Sequence, residues 1–186
     1  SDKKLDAILV TGRNDIYYYT GKLFGRADFG FFLVRKDSEK LFVSKLSNEL
    51  EGPGVVVMDS LNTLKKELEK LRLVGFDDKN ISVLMYKKLR SGVWKPVSDD
   101  IKKLRMVKDG YEISQLKEAA KLTLGIIRSL KPEGKTEKEL VSDVYVKTYR
   151  AGKTPAFEPL VVSGSNTAFI HHIPGSNMIG KGLVIV

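Results

Sequence analysis

His171 and His172 are adjacent and are the only histidines in the chain. Imidazole is the side chain best suited to donate, accept or carry a proton near neutral pH. On a strand the two rings would point to opposite faces, so one could meet a cavity while the other turned away. From position 159 to 186 there is no Asp or Glu. A hydrolytic metal centre needs several carboxylate or imidazole ligands converging on it. One usable histidine in an acid-free stretch does not supply that, and the carboxylates of earlier segments show no spacing that would complete a set. From the residues alone, the pair reads as a loop with exposed or hydrogen-bonded rings. The chain has no cysteine, which excludes a disulfide scaffold, a Cys-based zinc site, an iron–sulfur cluster and a thiol nucleophile. Ser163-Gly164-Ser165 lacks the spacing of a serine nucleophile elbow, and the stretch from Gly21 to Arg26 lacks that of a phosphate loop. Asp77-Asp78 and Asp99-Asp100 fall at element ends, where carboxylates cap helices. Tyr17-Tyr18-Tyr19 could form an aromatic surface, with two of the three rings expected in the core.

Charge narrows the partners. The 186 residues carry 32 Lys and Arg against 23 Asp and Glu, a net charge of +9. Most basic residues have acidic neighbours, as in Lys65-Lys66-Glu67-Leu68-Glu69-Lys70, the pattern of a solvated helix face. The tightest basic cluster, Lys102, Lys103, Arg105 and Lys108, reads as an exposed amphipathic helix. A nucleic-acid binder would concentrate Lys and Arg and interleave aromatics, so no nucleic-acid partner is expected. No apolar run approaches a membrane span and no signal peptide opens the chain. A cytoplasmic protein without a membrane partner is expected.

The elements that must position these residues alternate in the first hundred positions. Strands are expected over 5–10, 29–35, 41–44, 55–58, 74–76 and 93–97, with a hairpin turn at Asp37-Ser38. Helices are expected over 14–19, capped by Asn14 and ended by Thr20-Gly21, over 61–71, and from a cap at Asn80 to 89. Strands alternating with helices give an α/β domain over 1–100. The pattern then changes. Nearly continuous helix is expected over 101–130, with a break at Asp109-Gly110. Thr136-Glu137-Lys138-Glu139 matches a capping box, so a second helix runs to about 150. Short strands over 160–163 and 183–186 close a second domain, 101–186, with a turn at Gly164-Ser165-Asn166.

Taken in order, these segments resemble one family, the pita-bread metallopeptidases, and within it the Xaa-Pro dipeptidases (prolidases), with aminopeptidase P and creatinase as relatives. Asn14-Asp15-Ile16-Tyr17-Tyr18-Tyr19-Thr20-Gly21 resembles the family's N-I-x-Y-L-T-G segment. Leu104-Arg105-Met106-Val107-Lys108, with Glu112-Ile113, Leu116 and Ala119, resembles its L-R-x-x-K-x-x-x-E-I-x-x-L-x-x-A helix. Phe157, Val161-Val162-Ser163-Gly164, Asn166, Ala168 and His171 resemble its F-x-x-I-V-x-S-G-x-N-x-A-x-x-H stretch. Residues 182–186 resemble the strand that leads into its first metal-ligand Asp.

The resemblance implies a mixed sheet with flanking helices over 1–100, like the creatinase N-terminal domain, followed by an incomplete α+β pita-bread domain over 101–186. It implies an enzyme that cleaves the bond before proline in short X-Pro peptides and acts as a homodimer. In the intact enzyme it implies two divalent ions, manganese or cobalt, held by two Asp, one His and two Glu. All of those positions would lie beyond Val186, so the chain as given is expected to hold no metal and to be inactive. The one catalytic residue it implies here is His171, beside the metal centre, donating to the substrate and the developing tetrahedral intermediate. No catalytic role falls on His172, and turn formation and packing account for Asn166 and Phe157. Arg26 is a basic loop residue within conceivable reach of a substrate carboxylate. The competing readings are a pita-bread module that binds protein without cleaving, an aminopeptidase P-type activity, and a metal-free hydrolase of the creatinase type.

Overall fold

The computed structural model describes residues 4–23, 29–47 and 50–186; Arg26 lies outside them. The chain divides into two compact units, Ser1–Val107 and Lys108–Val186.

Apolar side chains run without alternation through Phe31-Phe32-Leu33 and Leu41-Phe42-Val43, as in strands buried on both faces. They belong to a six-stranded mixed sheet of β1 (Ala7–Val10), β2 (Gly30–Val34), β3 (Glu39–Ser44), β4 (Val55–Met58), β5 (Leu73–Phe76) and β6 (Val93–Pro96). The strand order is β4-β3-β2-β1-β5-β6. Successive side chains leave opposite faces of a strand. Ala7, Leu9, Phe31, Leu33 and Phe42 therefore join one core, with Leu64, Leu68 and Leu89. Val10, Phe32, Leu41 and Val43 join the other, with Ile16, Val97 and Ile101. Helices α2 (Leu61–Leu68) and α3 (Val83–Leu89) thus cover one face, and α1 (Arg13–Thr20) and α4 (Ser98–Leu104) the other. The β2–β3 hairpin turns where Asp37-Ser38 placed it, with the Arg35 N–H donating to the Ser38 carbonyl at 2.8 Å.

Helix starts differ from the sequence expectation. Gly12, not Asn14, precedes α1, and the buried Asp77 carboxylate accepts its N–H at 2.9 Å. Ser82, not Asn80, caps α3, its Oγ accepting from the Met85 N–H at 3.2 Å. The Asn80 amide donates to Asp77 instead. Asp77 also accepts from the Ser98 hydroxyl at 2.8 Å, so it joins the start of α4 to the end of β5 rather than capping a helix of its own. Tyr17, Tyr18 and Tyr19 are all exposed, and Ile16 is the residue of α1 that is buried. An eight-residue helix lying on a sheet presents one narrow face inward, which leaves no room for two of the rings. The Arg105 guanidinium instead lies over the Tyr18 ring, 5.1 Å from its centroid, and pairs with Asp15.

The second unit contains α5 (Gly110–Arg128), α6 (Glu137–Arg150) and an antiparallel pair, β7 (Val161–Ser163) and β8 (Leu183–Ile185). Asp109 caps α5 in a capping box with Glu112, which accounts for the break expected there. The expected box at Thr136 is also formed: its hydroxyl accepts from the Glu139 N–H at 3.3 Å, and the Glu139 carboxylate accepts from the Thr136 N–H at 2.8 Å. α6 packs on β7, with Leu140, Val161 and Val162 buried. Between β7 and β8 the chain is irregular apart from a 3-10 turn at Gly164–Ala168 and one antiparallel bridge from Thr136 to Met178.

Candidate functional site

The two histidines sit in this irregular segment, in a turn rather than on a strand. The His172 N–H donates to the Phe169 carbonyl at 3.2 Å. His171 is exposed and His172 half-buried, so the separation of the rings arises from a turn, not from strand alternation.

The segment has donors in number and no acid of its own. Its acid comes from the first residue of α6. Glu137 is fully buried. Its Oε1 accepts from the Ser163 N–H at 2.8 Å, the Asn166 amide at 3.0 Å and the Asn177 amide at 3.3 Å. Its Oε2 accepts from the Gly175 N–H at 3.2 Å and lies 3.3 Å from His172 Nε2. Backbone bonds brace the same junction. The Glu137 and Lys138 N–H groups, which a helix start leaves without intrahelical partners, donate to the Asn177 and Gly175 carbonyls at 3.0 and 3.1 Å. The Ser163 hydroxyl accepts from the Gly180 N–H at 2.9 Å.

Burial by itself would push the Glu137 carboxyl up. The Asn166 amide, the Ser163 and Gly175 N–H groups and the Asn177 amide outweigh it and hold the carboxyl at about 2, against an ordinary 4.5. Glu137 is therefore ionised at neutral pH. An ionised carboxylate only accepts, so the proton of this contact sits on His172 Nε2.

The sequence reading placed Glu137 only within a helix-start motif and missed this role. The signal was present: an acid-free, donor-rich stretch that folds back on itself requires an acceptor from elsewhere. Asn166 contributes an amide to Glu137 as well as a turn. Phe157, assigned to packing, is exposed.

Among the described residues, no three or more His, Cys, Asp or Glu side chains gather where they could hold a metal ion. The side chains of the described residues do not make up a two-metal centre. Among the described residues no helix is long and apolar enough to cross a membrane.

The family profile of the creatinase/prolidase N-terminal domain matches residues 1–107, and that of metallopeptidase family M24 matches residues 114–186. The chain is 28% identical over 183 residues to an uncharacterized peptidase of Methanocaldococcus jannaschii, covering 95% of this chain and 51% of that protein. It is 27% identical over 200 residues to the Xaa-Pro dipeptidase of Pyrococcus horikoshii, covering 98% and 54%. The crystal structure of the prolidase from Pyrococcus horikoshii superposes with a TM-score of 0.80 at 25% identity, over 97% of this chain and 55% of that one. The prolidase from Pyrococcus furiosus shares the fold, with a TM-score of 0.78 at 23% identity over 97% and 56%. The chain thus spans about half the length of the curated relatives it matches. With its first 107 residues matched to the N-terminal domain and the remainder running into M24 sequence, the chain belongs to the creatinase/prolidase family.

Proposed function

We propose that this chain supplies the N-terminal domain and the first part of the pita-bread catalytic domain of an Xaa-Pro dipeptidase, a divalent-metal enzyme that hydrolyses the bond before proline in short peptides, and that His171 is a catalytic residue. The observation that carries the reading is the placement of His171. It is exposed on a turn of the M24-matched segment, and that turn is tied through Glu137 to the start of α6. An X–Pro bond has no N–H, so a side chain that recognises it meets the carbonyl oxygen and the pyrrolidine ring. An imidazole N–H offered at a fixed point can donate to that oxygen, and more strongly as negative charge builds on it. The chain's own contribution is therefore to bind and orient the carbonyl. The intact enzyme in this reading is a cytoplasmic homodimer using manganese or cobalt.

The test is His171→Ala in the longer protein that this reading requires, assayed on an X-Pro dipeptide. The expected result is a loss of kcat of about 10²- to 10³-fold, the size seen when one oxyanion donor is removed, with metal content unchanged. Wild-type kcat in the variant would overturn the role of His171. Absence of turnover in the unmodified protein with its metal supplied would favour the non-cleaving, protein-binding reading.

A further inference from the structure

His171 is exposed, so the packing of its own ring does not set its position. The position comes from the backbone on either side, and that backbone converges on one carboxylate. Ser163 precedes the 3-10 turn, Asn166 lies within it, His172 follows His171 directly, and Gly175 and Asn177 close the segment. All of them meet Glu137. We propose that Glu137 is the positioning residue for His171: by gathering these donors at the start of α6 it holds segment 163–177 in the arrangement that presents the His171 ring. The inference rests on the catalytic role proposed for His171.

The arrangement needs a carboxylate rather than an amide. Both oxygens accept, and each faces more than one donor. In Glu137→Gln, whichever way the amide turns, its NH2 faces donors that lose their acceptor. If the NH2 takes the Oε2 position, it confronts the Gly175 N–H and the His172 Nε2–H. His172 can adapt by moving its proton to Nδ1 and accepting at Nε2; Gly175 has no alternative. The substitution is nearly isosteric, so it perturbs the hydrogen-bond pattern without opening a cavity.

The test has two parts. In the 186-residue chain, whose only histidines are these two, 15N spectra of the rings at about pH 8, where an ordinary imidazole is neutral, report each tautomer. Glu137→Gln is expected to move the His172 proton from Nε2 to Nδ1. It is also expected to shift the His171 ring signals and to speed exchange of the Ser163 and Gly175 amides at least about tenfold, a loss of the local protection a buried partner gives. In the longer enzyme, the same variant is expected to lower kcat about 10- to 100-fold, by analogy with partners that orient metal-ligating histidines, with KM little changed. The deciding measurement is a double-mutant cycle. Glu137→Gln added to His171→Ala is expected to cost less than about twofold more, because residues that act as a unit are not additive. A purely structural role would cost the same in both backgrounds.

Additive losses, or unchanged kcat and unchanged His171 signals, would overturn the positioning role while leaving His171 catalytic. If His171→Ala keeps full activity, the catalytic reading itself fails, and the positioning role falls with it. Should Glu137→Gln fail to fold, His172→Leu carries the same expectation, since it removes the ring link and leaves the carboxylate its other donors. His172→Gln, whose amide can take the place of Nε2–H, is expected to restore kcat. No effect of His172→Leu on the His171 signals or on kcat would overturn the proposal.

Discussion

Glu137 and Glu67 are both held at about 2, against an ordinary 4.5, by opposite means. Around Glu137 burial works against the charge, and hydrogen bonds from Asn166, Ser163, Gly175 and Asn177 outweigh it. Around Glu67 the largest cause is Lys70, whose ammonium donates at 2.7 Å; Lys40 and Arg35 add to it against a smaller burial effect. A carboxyl with a depressed folded pKa contributes stability that is fully present above its unfolded value and lost as pH falls through the folded one. Unfolding free energy from urea titrations is therefore expected to hold above pH 4.5 and to decline from there towards pH 2. Salt separates the two groups. At about 1 M salt the Debye length shrinks to about 3 Å, so the Glu67 carboxyl is expected to titrate higher and the Glu137 carboxyl to stay where it is. Carbon-detected NMR titration of the two carboxyls checks this, and equal movement of both would contradict the assigned causes.

The two long helices of the second unit begin with the same device. Asp109 and Thr136 each accept from the backbone N–H three residues on, and Glu112 and Glu139 reach back to the cap. Asp109→Ala and Thr136→Ala are each expected to cost about 1 kcal/mol, the usual value of a lost N-cap, read as a lower urea midpoint with an unchanged slope. The box at Thr136 was legible because the Thr136 and Glu139 side chains bond to each other and to local backbone, so sequence spacing contains the whole of that interaction. The cap assigned to Asn14 failed for the converse reason, and the one assigned to Asn80 failed because Asp77, three residues earlier, takes its amide. Asp77, distant in sequence from Gly12 and Ser98, draws on both of them. Cap chemistry read along the chain does not register a competitor folded in from elsewhere. The same limit applied at the candidate site. His171 was legible as a residue type in a recognisable stretch, whereas Glu137 became visible only when a turn brought segment 163–177 onto the helix start. The strands of the sheet were legible because uninterrupted apolar runs between turn residues have few other uses. The Tyr17–Tyr19 run departs from its expected burial because a short helix on a sheet buries one narrow face, which Ile16 fills here.

For the whole molecule, the charge of +9 and the two units set the background, but the order of strands in the first unit has a consequence in time. β1 lies inside the sheet, and its two neighbours stand at very different distances along the chain. On one side Ile8 pairs antiparallel with Val34, and β2 pairs in turn with β3 across a tight turn, Val34 opposite Glu39. On the other side Ala7 pairs in parallel with Val74, and β5 with β6, Val74 opposite Trp94. Hairpins form in about 1–10 μs, whereas a pairing that must first close a long loop pays its entropy before any contact rewards it. Pulsed hydrogen exchange during refolding is expected to protect amides of the β2–β3 hairpin first and those of the β1–β5 seam last. Simultaneous protection of both would show a single concerted step. During synthesis the same order means that β1 finds its hairpin neighbour early and keeps its other edge open until β5 has been translated.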